Sequence, residues 1–86
     1  MKFDYSSRFK KQYKKLPEKI KAKVNEKLLI FVEDEFNLLL KSHKLHGEYS
    51  SYRGISITGD IRVVYKKIDS DILFLQAVGS HSELFS

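Results

Sequence analysis

The sequence predicts an α+β domain, with an antiparallel sheet of about four strands, an N-terminal α-helical hairpin packed on one of its faces, and the other face concave and basic. Two observations carry this reading. Apolar residues recur at helical spacing between Phe9 and Val32, and from Tyr52 onward the chain changes to short runs rich in β-branched and aromatic residues, separated by turn signals. A length of 86 residues leaves room for one domain, 1–86, with one modest core.

Phe3 and Tyr5 alternate with polar neighbours, which predicts a short strand, and Ser6-Ser7 then offers a hydroxyl to cap a helix. Phe9, Tyr13 and Leu16 follow at i, i+4 and i+7 with lysines around the rest of the helix, and Pro17 ends it. Proline is tolerated at the start of a second helix, where Ile20, Val24, Leu28, Phe31 and Val32 keep the period to about Glu35 and are expected to form the core with the sheet. The segment Asn37 to Gly47 has no clean period and reads as a short helical turn and a polar loop. The runs YRGISI, IRVVYKKI and ILFLQAVG, with turns at TGD and DSD, predict an antiparallel meander. Along its middle run Ile61, Val63 and Tyr65 share one face, so Arg62 is expected on the face away from the helices. The last run is apolar on both sides, as a central strand is, and the tail SHSELFS turns off the sheet.

An apolar content of 42% with 13% aromatic residues argues against a disordered chain. Cysteine is absent, which removes disulfides, thiolate metal sites and cysteine nucleophiles and fits a reducing cytoplasm. The amino terminus carries no signal-like apolar run, and LLIFV and LLL are far too short to span a bilayer, so a soluble cytoplasmic protein without membrane contact is expected. The net charge of +5 is unevenly placed, since residues 1–27 hold ten Lys/Arg against three acids. Such a block favours polyanions, either nucleic acid or an acidic protein, although a solvated lysine-rich helix face produces the same pattern.

The residues able to carry chemistry are His43, His46, Asp60, Arg62 and His81, which sheet pairing can bring together from three distant segments. RNA supplies its own nucleophile, the 2′-OH, so its cleavage needs only a base, an acid and a cation for the phosphorane. Histidine, with an ordinary pKa near about 6.5, suits either proton role, and an arginine offers a planar fork of donors to a phosphate oxygen. Asp60 is placed to orient or charge-match a histidine. The bland readings stand beside this one: an inert surface histidine, a turn aspartate bonded to its own backbone, a solvated strand arginine. A metal site is a further alternative, because His43 and His46 are three apart and His81 or Asp60 could add ligands.

The stretch from His43 to Phe85 resembles the RelE superfamily of toxins, and its YafQ branch in particular, in the order and spacing of H-K-L-H-G, Y-R, T-G-D-I-R-V-V-Y and V-G-S-H-S-E-L-F. The first half matches only as a strand followed by a basic helical hairpin. The resemblance implies the toxin of a type II toxin–antitoxin module, a ribosome-dependent mRNA endoribonuclease using neither metal nor cofactor and held inactive by a cognate antitoxin. Such a toxin is expected to leave 2′,3′-cyclic phosphate and 5′-OH ends and to contact the ribosome, mRNA and 16S rRNA through its basic surface. Carried over by position, His43 matches the histidine of the H-x-L-x-G segment, Asp60 the turn aspartate and His81 a C-terminal histidine of proton transfer. Arg62 matches the strand arginine of the RelE branch, and Phe85 a tail aromatic that positions substrate. Lys44, His46 and Arg53, inside the matching segments, are expected to bind substrate. Ser56 and Ile61 stand where YafQ-like chains carry a histidine and a tryptophan, and His81 where RelE itself has arginine. The alternatives are a ParE-like toxin that inhibits gyrase by binding, which usually lacks His43, Asp60 and His81, and a degenerate member that binds only its antitoxin or RNA.

Overall fold

A computed structural model describes residues 1–85. Strand β1 (Lys2–Tyr5) leads into helices α1 (Ser7–Lys14) and α2 (Glu18–Glu33). Two 3-10 turns, Leu38–Leu40 and Gly47–Tyr49, flank a two-residue strand, β2 (His43–Lys44), and the chain continues through β3 (Arg53–Ser56), β4 (Ile61–Asp69), β5 (Ile72–Ser80) and α3 (His81–Phe85). The strands form one sheet in the order β1-β5-β4-β3-β2.

The α+β class and the β3–β4–β5 meander agree with expectation, while the sheet has a fifth strand and is mixed. His43–Lys44, expected in a loop, pairs antiparallel with Arg53 and Gly54. Two residues are too few to show alternation, so no pattern announces this edge. β1 runs parallel to β5, with Tyr5 opposite Leu75. The whole helical hairpin and meander lie between those two strands, a connection long enough to allow parallel pairing.

Each boundary has a chemical cause. Ser6 Oγ accepts from the Phe9 amide at 2.9 Å and caps α1, and Pro17 occupies the cap position of α2. Where β1 ends, α1 closes the exposed edge of β5: Ser6 Oγ donates to the Gln76 carbonyl at 2.6 Å, and Gln12 Oε1 accepts from the Val78 amide at 2.9 Å. The same place carries a bulge, because Val64 pairs with Ala77 while Tyr65 pairs with Leu75, leaving Gln76 over. The bulge turns Leu75 and Val78 to the same face despite their odd spacing.

That face carries the larger core, where Phe9, Val24, Leu28 and Phe31 of the helices meet Ile55, Val63, Tyr65, Leu73, Leu75 and Val78 of the sheet. Val32 is an exception to the expected core: it stays 42% exposed because it lies on the flank of the Val24–Leu28–Phe31 stripe. A smaller core on the second face joins Leu45, Tyr49, Val64, Ala77 and Leu84, with Tyr52 and Phe85 packed against it. Among the described residues no helix is long and apolar enough to cross a membrane.

Candidate active site

The second face of the sheet carries the histidines. Core alternation along β4 sends Val63 and Tyr65 toward the helices and Val64 to the smaller core, so Arg62 emerges beside Val64, opposite Gly79 on β5 and Ser56 on β3. Buried Leu45 anchors the strand that bears His43 and Lys44, and α3 returns His81 and Phe85 over the same face. A cleft of about 280 Å³ results, lined by His43, Lys44, Leu45, His46, Arg62, His81 and Phe85. Among the described residues its wall holds a lysine, an arginine and three imidazoles, and no carboxylate.

Two devices orient the histidines. His43 pairs with Gly54, and its ring lies so close over this glycine that a Cβ there would sit 3.2 Å from Cε1 and 3.3 Å from Nε2. Nδ1 lies 3.0 Å from the main-chain carbonyl of Lys41. A carbonyl only accepts, so Nδ1 carries the proton and neutral His43 keeps its lone pair on Nε2. Lys41 aims that carbonyl from the left-handed region, at φ 48°. His81 opens α3 through a capping box, with the Ser80 amide donating to Glu83 Oε1 at 2.8 Å and the Glu83 amide donating to Ser80 Oγ at 3.2 Å. These contacts hold the Glu83 carboxyl below its ordinary value of 4.5, the Ser80 amide being the larger cause and the Ser80 hydroxyl the smaller. The His81 ring packs against Phe85 with centroids 5.0 Å apart, and Phe85 meets Tyr49 edge-on at 5.9 Å.

Arg62 is folded back over the β3–β4 turn, donating from one terminal nitrogen to the Thr58 carbonyl at 3.0 Å and the Ile61 carbonyl at 3.2 Å. The other terminal nitrogen and Nε retain their donors, enough for a phosphate oxygen. Asp60 lies in the same turn and reaches the site through its backbone: its carbonyl accepts from the His81 amide at 3.1 Å. Among the described residues its carboxylate makes no hydrogen bond or ion pair, so the expected carboxylate–histidine contact is not formed. The Asp60 side chain is exposed and does not line the cleft, while its main chain ties the β3–β4 turn to α3.

Arg53 is not brought to the cleft. It shares its parity with Ile55, whose side chain enters the helix-side core, so Arg53 leaves the sheet on that side and donates from Nε to Ser42 Oγ at 3.1 Å. His43 and His46 gather no third donor: among the described residues no three His, Asp or Glu side chains converge as metal ligands. Gly54, the Lys41 carbonyl and the Ser80–Glu83 box escaped the sequence reading. The box alone had a signal, S-x-x-E, in the sequence.

Comparison with known proteins places the fold and the family. The model of the family described as "Bacterial toxin of type II toxin-antitoxin system, YafQ" matches residues 1–86. The crystal structure of YafQ from E. coli strain BL21(DE3) superposes with a TM-score of 0.83 at 20% identity, covering 99% of this chain and 98% of that one. A chain of an E. coli DinJ-YafQ complex matches with a TM-score of 0.72 at 26% identity over 99% of this chain and 98% of that one. A chain of the heterotetrameric YoeB-YefM toxin-antitoxin complex from Staphylococcus aureus reaches 0.78 at 21% identity, covering 94% and 97%. No curated protein matches. With a family model spanning its full length, the chain belongs to the YafQ family of bacterial toxins of type II toxin–antitoxin systems.

Proposed function

We propose that this toxin is an mRNA endoribonuclease that cuts translated messages on the ribosome and is held inactive by a cognate antitoxin protein. The observation that carries the proposal is the convergence of His43, Arg62 and His81 on one cleft that, among the described residues, no carboxylate lines. Nε2 of His43, its tautomer set by the Lys41 carbonyl, takes the proton from the 2′-OH, and the carbonyl then faces the imidazolium that forms. The 2′-oxygen attacks the phosphorus, and Arg62 binds the non-bridging oxygens as charge grows on them. His81 gives a proton to the departing 5′-oxygen, leaving a 2′,3′-cyclic phosphate and a 5′-OH. Base, acid and cation are all side chains, so the scheme calls for no metal. Phe85 and His81 present the ring faces on which a base stacks, and Lys44 and His46 flank the cleft where the backbone phosphates run.

The antitoxin part is supported by the relatives, since E. coli YafQ is found in complex with DinJ and the S. aureus YoeB with YefM. The basic hairpin, ten Lys/Arg against three acids in residues 1–27, suits ribosomal RNA contacts. The deciding experiment adds the purified toxin to a reconstituted translation reaction and, in parallel, to a gyrase supercoiling reaction. Cut mRNA with 2′,3′-cyclic phosphate ends and unimpaired supercoiling is expected. Intact mRNA with supercoiling blocked would establish the ParE-like alternative instead.

A further inference from the structure

The helix-covered side of the sheet carries a second cleft, of about 390 Å³, whose wall includes Phe36, Leu38, Lys41, Ser42, Arg53 and Tyr65. Its two jaws are the most exposed apolar side chains among the described residues, Leu38 at 90% and Phe36 at 82%. They are held there by structure: Asp34 Oδ1 accepts from the Phe36 amide at 3.1 Å, Asn37 Oδ1 accepts from the Leu39 amide at 2.9 Å, and Leu40 is buried as the anchor. A scattered exposed leucine needs no explanation, but two apolar side chains presented together by a built turn mark a contact surface.

The same wall carries positive charge with a set direction. The buried Tyr65 hydroxyl lies 2.8 Å from Ser42 Oγ, which accepts from Arg53 Nε at 3.1 Å. Arg53 is thereby positioned through one nitrogen, and among the described residues its terminal nitrogens make no hydrogen bond or ion pair. Lys41 likewise has no ion pair there, whereas Lys67 at the rim is neutralised by Glu35 at 2.8 Å. The cleft therefore offers two free cations framed by apolar groups.

We propose that this cleft docks an acidic, apolar segment of the toxin's protein partner, a carboxylate reaching Arg53 and Lys41 while an adjacent apolar side chain covers Leu38 and Phe36. The inference rests on the reading that the chain has a protein partner. Charge complementarity selects an anion, and the apolar pair favours protein over RNA, because a nucleobase could stack on Phe36 alone whereas an apolar side chain covers both Phe36 and Leu38. The site is separate from the histidine cleft, though adjoining it: Lys41 lines one, and its carbonyl orients His43 in the other.

The test maps amide shifts of the full ¹⁵N-labelled chain titrated with acetyl-Leu-Glu-Phe-Glu-amide, with acetyl-Leu-Gln-Phe-Gln-amide and with an adenylate tetranucleotide. Expected is a saturable response to the acidic peptide at Phe36, Leu38, Lys41 and Arg53, at least severalfold weaker with the glutamine peptide. It should be lost in Leu38→Ser and in Arg53→Gln, both at exposed positions whose substitution leaves the remaining spectrum in place. The proposal is overturned by an equal response to the neutral peptide, by a preference of these residues for the tetranucleotide, by shifts confined to the α1 lysines, or by no saturable response at millimolar peptide. None of these readouts depends on RNA cleavage, so failure here and failure of the nuclease reading are separately visible.

Discussion

The Lys41 carbonyl lies 3.0 Å from Nδ1 of His43, and this contact assigns the neutral imidazole's lone pair to Nε2. Lys41, which ends the 3-10 turn just before the edge strand, turns an exposed histidine into an oriented one. Gly54 completes the arrangement beneath the ring, leaving Nε2 in the wall of the cleft.

The close approach makes Gly54 sensitive in a specific way. Its backbone is ordinary strand, so alanine is conformationally welcome, yet the added Cβ would meet His43 Nε2 at 3.3 Å and Leu45 Cδ2 at 3.3 Å. Gly54→Ala is expected to lower the cleavage rate about ten- to a hundredfold by displacing the ring, with little change in the thermal midpoint. Parallel rate and melting measurements check this, and unchanged cleavage would contradict the role given to the glycine.

Arg62 is expected to act through its fork as well as its charge. Arg62→Lys retains the charge but loses both the Thr58 and Ile61 carbonyl anchors and the planar donor pair. Single-turnover cleavage should fall about a hundredfold or more, as for removal of a transition-state donor, with ribosome affinity nearly unchanged. Full activity in the lysine variant would reduce Arg62 to a general attractor of phosphate.

Much of this was legible beforehand. The side taken by Arg62 followed from Ile61, Val63 and Tyr65, because a strand alternates strictly and only one of its faces met the helices. The same rule applied to Arg53 would have placed it with Ile55 on the helix side, as found. His43 was harder: a two-residue strand has no period, and its partner across the ladder is a glycine with no side chain to signal the contact. The Gln76 bulge, which lets both Leu75 and Val78 face the helices, is bonded by the side chain of Ser6, 70 residues away in sequence. Local pattern cannot reveal it.

The capping box gives a dependence on pH. Because the Glu83 carboxyl is held below its ordinary 4.5 in the folded chain, its contribution to stability is fully present above that value and is lost as pH falls through the lower folded value. The difference in thermal midpoint between wild type and Glu83→Gln should therefore be constant near neutrality and shrink below about pH 4.5. A difference that stays constant down to pH 3 would show that the carboxylate's contact with Ser80 contributes nothing.

Tyr65 supplies a test of packing without chemistry. Its ring meets Phe31 edge-on at 5.1 Å and is almost wholly buried, while its hydroxyl lies 2.8 Å from Ser42 Oγ. Tyr65→Phe keeps the ring and removes that hydrogen bond, which should cost about 1 kcal/mol in denaturant unfolding. A cost near zero would mean that Ser42 is held by Arg53 alone.

The division of proton transfer between the two histidines is tested most directly by single-turnover cleavage of a ribosome-bound mRNA carrying either oxygen or sulfur at the 5′-leaving position. Sulfur departs without protonation, so it spares the acid and not the base. With oxygen, His43→Ala and His81→Ala should each slow cleavage by about a hundredfold or more. With sulfur, the His81 variant should recover most of the wild-type rate and the His43 variant should stay slow. Rescue of His43→Ala instead, or undiminished cleavage of the oxygen substrate by either variant, would contradict the assignment.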